Sequence, residues 1–146
     1  MSNTAKLLGA GVLPLAVGFA FNYLILYLPL PGFLLLPIEL ALLVLWGYLA
    51  FRLSVREKNP IGQAFLMCAF GLLILALVLY QELVLGQYWG NLVGFGTQMY
   101  FLPLLTLAAT IARPFMEVIR VWPIYILIWI GMFFVSCAGC FLKRRR

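Results

Sequence analysis

"FLLLPIELALLVLWGYLAF", residues 33–51, is an apolar run with one carboxylate, Glu39, inside it. Wound as a helix at 1.5 Å per residue, the run continued to residue 53 nearly matches the roughly 30 Å hydrocarbon core of a bilayer. Four more stretches have the same character, so the chain reads as helices at 7–28, 33–53, 61–85, 94–112 and 121–142. The predicted fold is an all-α polytopic membrane helix bundle in a single integral domain, with five or alternatively four transmembrane helices.

Composition supports lipid as the solvent. Of the 146 residues, 66% are apolar and 10% charged, and His and Asp are absent. Soluble domains carry roughly 25% charge. The net charge of +6 does not point to nucleic acid, because the cations flank apolar runs and form no basic face or stacking module. The first run, with Lys6 at its start, has some features of a signal peptide. It continues to Leu28, too long for a signal core, so it is expected to stay uncleaved.

The links are short. Pro29-Leu30-Pro31-Gly32 suits a tight turn. "SVREKNP" (54–60) is the most polar link, and "GQYWGNLV" (86–93) suits a turn in the interfacial aromatic belt. "RPFMEVIRVW" (113–122) alternates charge with bulk and is expected to lie along the membrane surface.

Loop cations set orientation. With a cytoplasmic N-terminus in the cell membrane, Lys6, Arg52, Arg56, Lys58, Arg113 and Arg120 fall inside, and the loops at 29–32 and 87–93 outside. The last run breaks the pattern. Five crossings put Lys143, Arg144, Arg145 and Arg146 outside, although these residues are natural contacts for lipid headgroups. The length of the last run favours crossing and its basic tail favours staying in. Five crossings are expected, with the side of the C-terminus open.

Why, then, Glu39? Asn22 and Glu39 are equidistant from the centre of the 29–32 turn, as Glu82 and Gln98 are from Gly90. In antiparallel neighbouring helices, equidistant residues share a depth, so Asn22 is the predicted partner of Glu39, and Glu82 and Gln98 the second pair. Helical stripes place these side chains on faces shared with small residues: Gly11, Gly18 and Asn22; Ala64, Cys68, Gly71 and Glu82; Gln98, Ala109 and Ala112. The Glu39 stripe is bulkier, through Leu43, Trp46 and Ala50. A charge at mid-membrane costs about 2.5–3.5 kcal/mol. One interhelical hydrogen bond returns only about 0.6–2 kcal/mol. Glu39 should therefore be protonated, reach water through an outer cavity, or meet a cation.

Other motifs carry less. Cys137 and Cys140 form a Cys-x-x-Cys at a helix end, where packing is the expected use and acylation of Cys140 a weaker alternative. Pro14, Pro37, Pro103 and Pro123 interrupt or open apolar runs and can kink them. Without His or Asp, the commonest acid–base and metal-ligand sets are missing, so neither an enzyme nor a metal or other cofactor is expected. The expected role is a non-catalytic membrane subunit or accessory protein acting by lateral contact. Its expected partners are membrane lipid, a second copy of the chain or another membrane protein. The alternative is a small transporter or channel component with an outward polar cavity around Glu39.

Overall fold

Local signals start the helices where the sequence places them. Ser2 accepts from the Ala5 N–H at 3.2 Å to open α1 (Asn3–Ala10). Pro14 opens α2 (Leu13–Tyr27), and α3 (Gly32–Leu53) follows Pro31. Asn59 caps α4 (Pro60–Leu79) by accepting from the Ile61 N–H at 3.1 Å. A π-helical turn, Tyr80–Val84, ends that segment. Asn91 caps α5 (Leu92–Phe101) through the Gly94 N–H, a 3-10 turn follows at Leu102–Leu104, and α6 (Leu105–Ala112) leads to a second 3-10 turn at Arg113–Phe115. The last helix is α7 (Val121–Arg145).

The computed structural model describes residues 2–28, 31–115 and 121–145, and among these there is no strand. Residues 29–30 of the predicted turn, residues 116–120 of the predicted surface segment, and the cations Arg120 and Arg146 lie outside the described residues. Five helical segments are long and apolar enough to cross a membrane: Asn3–Tyr27, Gly32–Leu53, Pro60–Val84, Leu92–Phe115 and Val121–Arg145. The fold is the all-α helical bundle that the sequence predicts.

The helices do not pack in chain order. α7 lies along both α3 and α4 and touches α6, α1 packs on α4, and α2 packs on α5. α2 and α3 scarcely touch, although a short link joins them. Small residues set these contacts, as membrane helix packing requires. A β-carbon at Gly139 would overlap the Gly47 carbonyl oxygen, one at Gly18 the Met99 carbonyl, and one at Gly71 would crowd the Tyr100 hydroxyl. The core runs through Leu7, Ala50, Ala64, Met67, Cys68 and Phe101.

Side-chain contacts fix the route of the chain. Gln81 and Glu82 are consecutive. Gln81 accepts from the Trp89 N–H at 2.9 Å, just before α5, and Glu82 accepts from the Trp122 N–H at 3.3 Å, at the start of α7. α5 and α7 therefore both start at the same end of the bundle. α7 then runs to the other end. Its far end brings Cys140 Sγ to 4.0 Å from the Ala50 carbonyl oxygen and Lys143 Nζ to 5.1 Å from the Phe51 ring centre. Asn3 donates to Gln63 beside the 54–59 link, so both termini of the described chain share this end, here called the amino-terminal end.

The fourth apolar run is thus folded on itself. α5 has 10 residues, so it runs in for roughly 15 Å, half the thickness of a hydrocarbon core. At Leu102–Leu104 the helix breaks, where Pro103 removes a backbone donor. α6, with 8 residues, leads back roughly 12 Å against α7 and α3. Translocation of the tail and failure of the last run to cross both presuppose a fourth run that goes through.

Candidate functional site

Glu39 is fully buried, with 0% of its surface exposed. Its partner is not Asn22. One carboxylate oxygen accepts from the Thr106 N–H at 3.2 Å, and the other accepts from the Leu107 N–H. The break at Pro103 explains why those donors are free. The first turn of any helix has N–H groups with no intrahelical acceptor, and the aligned peptide dipoles place partial positive charge there. Glu39 caps α6 from a neighbouring helix. Beside the expected protonation, water or cation, the structure supplies the positive end of a half-length helix.

Equidistant residues face each other only when two helices pack along their length. Here the first segment turns at Gly11 and Val12, ahead of Pro14, and α2 leans toward α5. Asn22 is half-buried and is not bonded to Glu39. The turn leaves the Gly11 carbonyl without its usual helical donor, since the Leu15 N–H bonds to Val12 instead. The Tyr100 hydroxyl donates to that carbonyl at 3.1 Å. The two proline-associated breaks are therefore repaired alike, each by a side chain from another helix.

A second polar group closes the opposite end. Gln81, fully buried, donates to the Leu77 carbonyl at 3.2 Å and to Thr97 Oγ1 at 3.4 Å, while its oxygen holds the Trp89 N–H. Thr97 donates to the Gly94 carbonyl at 2.7 Å. The predicted pair Glu82 and Gln98 is not formed. Gln81 takes the inward position facing α5, continuing the buried row Met67, Gly71, Ile74 and Val78, and Glu82 lies to the side of α7. Glu82 is half-buried and accepts from Tyr88 Oη at 2.6 Å as well as from Trp122. Burial, and then the hydrogen bond to Glu82, push the Tyr88 phenol above its usual range. Gln98 is half-buried and lines an open groove of about 580 Å³ with Tyr88, Trp89, Asn91 and Phe95.

Gln63 organises the amino-terminal end. It is 3% exposed, accepts from the Val55 N–H at 2.6 Å, and donates to the Val55 and Lys58 carbonyls at 2.9 and 3.2 Å. Of the basic tail, Lys143 is half-buried over Phe51, and Arg144 and Arg145 are exposed. Cys68 lies 3.6 Å from Ser136 Oγ, and Cys137 and Cys140 are free thiols. Among the described residues no three His, Cys, Asp or Glu side chains converge in a way that could hold a metal ion.

The space between the splayed α2 and α3 is a cleft of about 190 Å³. Val17, Leu42, Leu45, Tyr100, Pro103 and Met132 are among its lining residues. A smaller space of about 60 Å³, with Leu43, Leu107, Ile111, Leu127 and Gly131 in its walls, lies beside α6. Both are lined almost wholly by apolar side chains, so the surroundings of the Glu39 cap are hydrocarbon-like. Fold and site together define a helical bundle with five segments long and apolar enough to cross a membrane, whose internal polar groups stitch broken helices. Compared with known proteins, the chain matches no family model, no curated protein and no solved structure.

Proposed function

We propose that the chain is a multi-pass integral protein of the cell membrane that acts as a non-catalytic accessory subunit, through lateral contact with a partner membrane protein or a second copy of itself. The observation that carries this reading is the use made of Glu39. Both of its oxygens are spent on backbone donors of α6, and the neighbouring spaces are apolar. A carboxylate serving a substrate would need a face open to water. Exposed apolar side chains such as Phe19, Leu26, Leu40, Val44, Tyr48 and Phe134 leave the outer surfaces of α2, α3 and α7 to lipid or to a partner helix.

In this reading four segments cross the membrane, the 92–112 stretch dips in and returns, and both termini are cytoplasmic. Lysine and arginine counts support that orientation. Lys6, Arg52, Arg56, Lys58, Lys143, Arg144 and Arg145 belong to the amino-terminal end, while Arg113 lies on the return toward the other. The conflict seen in the sequence shrinks, because the basic tail no longer has to cross and Arg113 becomes the exception instead.

The test is cross-linking in native membranes followed by mild detergent extraction. A stoichiometric partner or a homo-oligomer is expected, and a lone monomer in the membrane overturns the subunit role. Cysteine labelling tests the route: positions 113 and 145 should label from opposite sides.

One feature favours a transporter as the second reading. A helix broken at mid-depth with its N-terminus facing a carboxylate is an arrangement that transporters use to hold ions and substrates. Under that reading Glu39→Gln abolishes a cation or proton flux in proteoliposomes that Tyr100→Phe leaves in place. No flux from either chain ends it.

A further inference from the structure

The fold gathers cations from three distant stretches of sequence onto one end. Lys6 lies on α1, Arg52 ends α3, Arg56 and Lys58 sit on the 54–59 link, and Lys143, Arg144 and Arg145 end α7. Asn3 and the link meet at Gln63, and Lys143 rests on Phe51, the neighbour of Arg52. Glu57 is the carboxylate this end carries among the described residues.

The link between α3 and α4 is held in place. Gln63 is bonded to three of its backbone atoms, two on Val55 and one on Lys58. Ser54 Oγ donates to the Phe51 carbonyl at 3.2 Å, and Asn59 caps α4. Arg56 and Lys58 are exposed on this fixed turn. The Lys143 ammonium is parked over an aromatic face, and Arg144 and Arg145 point the basic end outward as exposed residues. A cationic surface built on restrained backbone loses less freedom on binding than one on a loose loop.

We infer that this end is a docking surface for the headgroups of anionic phospholipids, with Gln63 as the residue that positions its cations. The inference rests on the membrane-embedded reading above. The occupant follows from where the cations stand. Arg52 follows Phe51, and Lys143 follows Phe141 and Leu142, so the charges begin where apolar helix surface stops. That is the depth at which hydrocarbon gives way to phosphate, and a Lys or Arg there gains about 1 kcal/mol from an anionic leaflet, close to fivefold in lipid association.

The experiment reconstitutes the full chain in phosphatidylcholine vesicles containing spin-labelled phosphatidylglycerol or spin-labelled phosphatidylcholine. The motionally restricted fraction reports which lipid the protein holds. Wild type should prefer phosphatidylglycerol, and the preference should fall at molar salt, where the Debye length is about 3 Å. Arg56→Gln/Lys58→Gln and Arg144→Gln/Arg145→Gln should each lower it several-fold, and Arg56→Lys/Lys58→Arg should keep it. Gln63→Met removes no charge yet should lower the preference by a factor of two or more, with phosphatidylcholine association unchanged. An unaltered preference in both neutralised variants overturns the docking surface, and an unaltered preference in Gln63→Met overturns the positioning role. Competition by millimolar inorganic phosphate overturns the lipid assignment in favour of a general anion site. Failure of the chain to resist carbonate extraction defeats the membrane reading instead, so the two failures are distinguishable.

Discussion

Glu39→Gln tests the cap on α6 most directly. The carboxylate offers two acceptors to two backbone donors, Thr106 N–H and Leu107 N–H, at a position with no exposed surface. A carboxamide keeps one oxygen and turns an NH₂ group toward the other donor. One buried N–H is then left unpaired against another donor, which costs about 1–3 kcal/mol. Glu39→Leu removes both acceptors and should cost roughly twice that. On sequence grounds the Gln substitution is expected to leave folding intact; the cap geometry reverses that expectation. The assay is reversible unfolding in mixed micelles, with denaturing detergent as the variable and tryptophan fluorescence as the signal. Stability of Glu39→Gln within about 0.5 kcal/mol of wild type, the range of an ordinary surface substitution, would refute the cap. So would equal costs for Gln and Leu, because Gln keeps one acceptor and Leu keeps none.

Tyr100→Phe removes the donor to the Gly11 carbonyl and should cost about 1–2 kcal/mol in the same titration. Gly18→Ala should cost several kcal/mol or separate α2 from α5, because its β-carbon overlaps the Met99 carbonyl, whereas Gly9→Ala meets nothing within 4 Å and should be neutral or slightly stabilising in the same unfolding assay. Tyr88 gives a pH dependence. Its folded pKa is raised, so its contribution is complete below the ordinary tyrosine value of about 10 and is lost as pH rises beyond it. Phenolate absorbance and unfolding followed together should show this loss in wild type and a smaller loss in Tyr88→Phe.

Much of the helix inventory is legible in the sequence because apolarity and length are local properties. The run at 33–53 and the observed helix Gly32–Leu53 differ by one residue at the start. The route through the bundle is not local. The stretch 94–112 is apolar throughout, and hydropathy records neither that α5 and α6 run in different directions nor that Pro103 marks the change. The sequence does carry a trace of it in the conflict between Arg113 and the tail cations. The inward placement of Glu39 is legible too, since its stripe continues through Trp46 and Ala50, both buried. Its partner is not, because the acceptor it needs is a pair of backbone groups, and backbone groups leave no mark in composition. Gln81 is missed because the stripe Ala64, Cys68, Gly71 extends to the charged Glu82, while the neighbouring helical row Met67, Gly71, Ile74, Val78 extends to Gln81 and is marked only by apolar residues.

The dip formed by residues 92–112 constrains the order of assembly. In the two-stage picture of membrane folding, each helix is first stable across the bilayer alone and only then finds its neighbours. α5 and α6, at 10 and 8 residues, are too short to be stable that way. The first turn of α6 is finished by Glu39, and α5 is tied to the first segment by Tyr100 reaching Gly11, so their placement depends on helices already standing. Four full-length helices make the frame, and the dip is the keystone, seated last.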